Sequence, residues 1–259
     1  MQAVLHLYNL TAMQSFLLTV LRIAGPAVLV ISAWAVWQRR ATFGSRFDAA
    51  WTVAIVLFGV GAALDAPWPE IAAASYAPTG KYYVLNVVGH LCYLAGGAFV
   101  VRGIYLRLLP DAATTSFMRR WIVPSVVAAA VVMVSSFAMS SVPSTLPAQH
   151  LYLVVPDRWM TVYFVAHFGT ATALGAVAGY GVFWLLRDPR AVLLNVVLAA
   201  LTAAAVSGGL MVGWSVITGR FETLRLVTWL LTYAAFAVAS VTAALQWRHR
   251  IRALLQPPP

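Results

Sequence analysis

The stretch YVLNVVGHLCYLAGGAFVV, residues 83–101, has no Asp, Glu, Lys or Arg and carries one imidazole, His90. As a helix rising about 1.5 Å per residue, it nearly crosses the roughly 30 Å hydrocarbon core of a bilayer. The whole chain shares this character. Of its 259 residues, 62% are hydrophobic and only 9% charged, against about 25% charged in soluble domains. So few charges cannot cover the surface of a water-soluble protein of this length, whereas lipid demands an apolar exterior. The net charge of +10 is therefore read against a membrane before nucleic acid. One cysteine, Cys92, lies within the apolar run, so there is no internal disulfide framework.

Working outward, the apolar runs predict a single polytopic domain, 1–259, with spans at about 13–37, 49–66, 82–106, 120–142, 158–186, 191–218 and 223–247. The expected fold class is an all-α integral membrane bundle of seven transmembrane helices. Lipid leaves backbone groups no partner outside the segment, and no barrel-like alternation is visible. Basic residues divide unevenly between alternate loops. Arg39, Arg40, Arg46, Arg107, Arg119, Arg120, Arg187, Arg190 and the tail arginines of 248–259 fall on one side; Lys81, Arg158, Arg220 and Arg225 fall on the other. The richer side belongs in the cytoplasm, which puts the N-terminus outside and the C-terminus inside. The segment MQAVLHLYNLTAMQ lacks the basic region of a signal peptide, so the first apolar run is expected to stay as a span.

Polar residues inside spans carry the functional information, because each is costly in lipid unless it meets protein or water. Tyr83, Asn86, His90, Tyr93 and Gly97 follow a 3-4-3-4 spacing, which puts them on one helix face. Tyr163, His167 and Thr170 repeat this in the fifth span. Both histidines lie at a similar depth, on the order of 12 Å below the outer boundary. Arg22 in the first span, Asp65 at the outer end of the second, and Arg225 and Thr228 in the seventh complete the expected ligand-pocket set. Asp65 is the expected partner of Arg22. Hydroxyls such as Thr170 and Thr228 more commonly bond their own helix. Gly25-Pro26 and Pro124 are expected helix interruptions.

Several chemistries are excluded by these residues. A retinal protein needs a lysine in the last span, and the sole lysine is Lys81, in a loop. No Walker A run, His-Glu-x-x-His motif or intramembrane carboxylate pair is present, so an enzyme is not expected. The leading reading is a transporter or solute sensor with a polar pocket in the outer half of the bundle. Its expected partners are the lipid bilayer, a small external solute favoured as an anion by its arginines, and a cytoplasmic protein on the Arg-rich loops, with no nucleic acid. The alternative is a b-type haem or a metal held by His90 and His167, with Gly89, Gly96 and Gly97 leaving room for a macrocycle, and His150 or Asp65 as a third metal ligand.

The segment PTGKYYVLNVVGHLCYLAGGAFVVRGIYLRLL, with His90 ten residues after Gly80, resembles a group of uncharacterised actinobacterial multi-pass membrane proteins described as transporters. DRWMTVYFVAHFGTATALGAVAGY is similar to that group in placement. Where the group has an Asn soon after the Gly, this chain has Tyr83. The resemblance implies a multi-pass cell-membrane protein in a transport or sensory role, and by motif it carries over His90 alone.

Overall fold

The computed structural model describes residues 12–40, 46–145, 151, 154–187 and 222–255, with short stretches between 199 and 218. Among them the chain is helical and has no strand. The helices are α1 (Ala12–Gln38), α2 (Arg46–Asp65), α3 (Pro69–Thr79), α4 (Val84–Leu108), α5 (Asp111–Met139), α6 (Arg158–Leu185) and α7 (Glu222–Leu255). All but α3 contain a segment long and apolar enough to cross a membrane, making this a multi-pass, membrane-embedded bundle. The expected sixth span falls mostly outside the described residues. Its described parts are helical and pack on both neighbours: a side chain at Gly213 would meet Phe168 of α6, and one at Gly208 would meet Thr228 of α7.

The bundle is a chain of neighbours in which α7 packs on α1, α1 on α2, α2 on α4, α4 on α6 and α6 on α5. The α2–α4 seam is the closest, and a heptad explains it. Gly89, Gly96 and Gly103 recur every seven residues on α4, while Asp65, Phe58 and Trp51 recur every seven on antiparallel α2. A Cβ on Gly96 would lie 2.7 Å from the Phe58 ring, and one on Gly103 would lie 2.7 Å from the Trp51 indole. Large groups of α2 thus sit in notches of α4, the usual way helices gain dispersion contact where lipid gives no hydrophobic drive. Of the three glycines expected to leave macrocycle space, Gly89 and Gly96 instead bring α2 close, and Gly97 faces Leu174 of α6.

Neither expected interruption breaks a helix. Pro26 lies inside continuous α1, and Gly25 beside it lets α2 approach, since a Cβ there would sit 2.5 Å from the Ala62 carbonyl oxygen. Pro124 follows a π-helical turn, Met118–Ile122, within α5. The Val123 N–H closes that wider turn on Met118 O, just before proline removes a donor from the ladder.

At the end of the bundle holding α3, three loop contacts set α4 against α6. Gly80 closes α3 in the left-handed region at φ 66°, and its N–H bonds Tyr76 O. The Tyr82 N–H bonds Pro143 O at 2.7 Å, and Lys81 Nζ donates to Ser140 O at 2.7 Å. Asp157 then caps α6, accepting from Met160 N at 2.7 Å and from the Ser140 hydroxyl at 2.9 Å. The starts of α4 and α6 are tied to one turn, so their second helical turns face each other.

Candidate functional site

The second turns carry the chemistry. Tyr83, the residue before α4, has φ 67°, the one positive value at a non-glycine among the described residues, and its side chain is buried. It starts α4 so that Asn86, His90 and Tyr93 reach the α2 terminus, where Asp65 is the last helical residue.

Asp65 and His90 are both 0% exposed, and His90 Nε2 lies 3.0 Å from Asp65 Oδ1. Asn86 Nδ2 donates to the same oxygen at 3.2 Å, and the Tyr93 hydroxyl donates to Oδ2 at 3.4 Å. On the far side of the imidazole, Nδ1 meets the Tyr163 hydroxyl of α6 at 2.5 Å. A carboxylate, an imidazole and a phenol thus form one line from α2 through α4 to α6. His167, one turn after Tyr163, stacks on His90 with centroids 4.3 Å apart and planes 19° apart. Burying polar groups in a membrane bundle is costly, and Asp65, Asn86, His90, Tyr93 and Tyr163 offset that cost by bonding one another.

The remaining expected residues are placed differently. Arg22, half-buried on α1, donates from Nε to Pro67 O at 2.8 Å. This corrects the expected Arg22–Asp65 pair: the carbonyl two residues beyond takes the guanidinium, while histidine takes the carboxylate. Thr228 is buried and donates to Leu224 O on its own helix at 2.8 Å. Arg225 is also buried, on the first turns of α7, and Thr170 is half-buried on α6. No contact on the described residues brings Thr170 or Thr228 into the Asp65–His90 cluster. His150, the expected third metal ligand, lies outside the described residues.

The cluster does not present two histidine lone pairs to one iron. Both His90 nitrogens are engaged by Asp65 and Tyr163, and the two imidazoles meet face to face, whereas axial ligands must point their nitrogens at a shared centre. Among the described residues no group of three or more His, Cys, Asp or Glu is placed to hold a metal ion.

Sequence reasoning missed two features. Tyr233 of α7 is buried and donates to Ala62 O at 3.0 Å, one turn before Asp65, and so fixes the end of α2. At the opposite end, Arg39 Nη2 pairs with Asp48 Oδ1 at 2.9 Å, while its Nη1 donates to Ala243 O of α7 at 3.3 Å. Loop counting treated Arg39 as a topology charge; an acid nine residues later was the available signal.

Comparison with protein families, with curated proteins and with solved structures gives no match.

Proposed function

We propose that this chain is a seven-span cell-membrane transporter for a small anionic solute, with its N-terminus outside and the Asp65–His90 end facing outward. The observation that carries this reading is the fully buried Asp65–His90–Tyr163 line joining three membrane helices. Polar groups cost free energy at such a depth, and buried ionisable residues inside bundles belong chiefly to solute and ion pathways. Arg22 supplies the anion preference. Its one hydrogen bond among the described residues uses Nε, which leaves the other N–H donors of its fork to a ligand.

The seventh span is supported by described residues 208, 209 and 213, which pack on α6 and α7. The orientation is supported by the basic asymmetry of the loops. A solute sensor could use the same site without a path through the membrane. Transport is favoured because α2 carries a buried acid paired with a basic side chain at each end, the two closures that alternating access needs.

The test is a screen of carboxylates, phosphates and neutral solutes for thermal stabilisation of the purified protein, followed by uptake into proteoliposomes. An anion should raise the melting temperature of wild type, and Arg22→Gln should lose that gain while still inserting. The reading fails if no solute stabilises wild type, or if Arg22→Gln responds equally.

A further inference from the structure

We propose that the Asp65–His90 pair, with Tyr163 on the second imidazole nitrogen, is a proton-binding site that takes one proton per protein and couples it to movement of α2, α4 and α6. It rests on the transport reading for its purpose, but its chemistry stands on the geometry alone.

A neutral imidazole has one N–H and one lone pair. With the hydrogen on Nε2, His90 donates to the Asp65 carboxylate across 3.0 Å, and Nδ1 accepts from the Tyr163 hydroxyl. If a proton from water is added to Nδ1, the imidazole becomes a cation with N–H on both sides. Tyr163 then accepts instead of donating, and its own O–H turns about the C–O bond. The proton is accommodated by turning one O–H, so the same set of residues can hold both states. What changes is charge. Unprotonated, the line is a carboxylate hydrogen-bonded to a neutral ring; protonated, it is an ion pair. In a low-dielectric interior the second attracts far more strongly, so proton binding tightens α2 on α4 through the ion pair and strengthens the bond to Tyr163 of α6 by giving it a charged donor, and proton release loosens both.

His167 limits the stoichiometry. Two parallel rings 4.3 Å apart cannot both carry positive charge without strong repulsion, so the stack admits one charge. The surroundings agree with a single exchangeable proton. From α1, Arg22 is held on Pro67 O. From α3 and the turn after it, Glu70 is exposed and Lys81 donates to Ser140 O. α4 adds Asn86 and Tyr93 on the carboxylate. α5 offers the apolar Phe137 ring against Tyr163, and from α7 Tyr233 is held on Ala62 O. The described residues between 199 and 218 contribute no titratable group.

The experiment is infrared difference spectroscopy on the full chain in lipid nanodiscs, stepped between high and low pH, with histidine labelled by nitrogen-15. No added solute is needed. Wild type should show an imidazole-to-imidazolium conversion equal to one histidine within the membrane. It should be absent in His90→Gln and present in His167→Phe. In parallel, melting temperature against pH should show a step in wild type that Asp65→Asn removes and Arg22→Gln keeps. The proposal is overturned if wild type shows no histidine conversion, if His90→Gln keeps it, or if Asp65→Asn keeps the step. If His90→Gln fails to fold, the wild-type spectrum and the Asp65→Asn step still decide. A solute screen that fails while the proton step persists would reject the transport reading and leave the site standing.

Discussion

The two ends of α2 pair a buried acid with two different basic side chains. At one end Asp48 pairs with Arg39 at 2.9 Å; at the other Asp65 pairs with His90 at 3.0 Å. A guanidinium keeps its charge at any pH a protein meets, whereas an imidazole changes charge near neutrality. The first pair is therefore a permanent clamp, pinning α1, α2 and α7 through the Arg39 contacts to Asp48 and Ala243. The second, joining α2, α4 and α6, has two states of different strength. Similar geometry thus yields a hinge at one end and a release at the other, and α2 is the element both ends act upon.

The largest effect expected comes from breaking the clamp. Arg39→Met leaves Asp48 half of a buried pair and should cost about 3–5 kcal/mol. Adding Asp48→Leu should restore most of that loss, because an apolar replacement removes both desolvation costs. Reversible unfolding in mixed micelles measures both variants. A loss under about 1 kcal/mol would place Arg39 among ordinary surface pairs and dissolve the contrast between the ends.

A smaller effect tests whether the seam sets the geometry of the titratable pair. A Cβ on Gly89 would lie 2.9 Å from Gly61 O and 3.3 Å from the Asp65 Cβ. The first of these is backbone and cannot swing aside, so α2 must shift. Gly89→Ala should cost about 1–3 kcal/mol and weaken the Asp65–His90 contact, seen as loss of the pH step. Gly169 is the control: nothing lies within 4 Å of its Cβ position. Gly169→Ala should be neutral or stabilising by up to about 1 kcal/mol. Equal losses in both variants would remove the seam from the explanation.

Much of this was legible in the sequence, for physical reasons that differ by feature. Lipid forces long apolar helices, so composition and run length gave α1, α2 and α4 to within a few residues. The 3-4 spacing put Asn86, His90 and Tyr93 on one face because helix geometry fixes that relation within a segment. Which residue answers a charge from another helix depends on packing, and there the reading went astray. The cost of a lone Arg in a span asks for a partner for Arg22 and suggests Asp65; the chain turns after Asp65 and offers the Pro67 carbonyl first. The Gly89, Gly96, Gly103 heptad was visible in the letters, but its meaning required Asp65, Phe58 and Trp51 to repeat in the opposite direction on α2. Tyr233 on Ala62 O joins residues 171 apart, and no local pattern announces such a contact.

The smallest effect sharpens the comparison by separating two pH dependences. Asp157 sits outside the span of α6 as its cap. Burial pushes its carboxyl pKa upward, but hydrogen bonds from the Met160 N–H, from Ser140 and from Ser141 outweigh burial and hold it below the ordinary value. A carboxyl lowered in the folded state stabilises the fold above the unfolded pKa of about 3.9 and loses that contribution as pH falls through the lower folded value. Asp157→Ala should cost about 1 kcal/mol near neutral pH through the lost cap. Asp157→Asn should keep most of the cap and flatten the acid limb below about pH 4. The Asp65–His90 step is read separately, as the transition that depends on the Asp65 carboxylate. Melting temperature against pH should therefore show the acid limb changed and the Asp65–His90 step intact in Asp157→Asn, and the reverse in Asp65→Asn. If Asp157→Asn moved both, the turn that ties α4 to α6 would be setting the strength of the Asp65–His90 pair, and this end of the bundle would behave as one coupled unit.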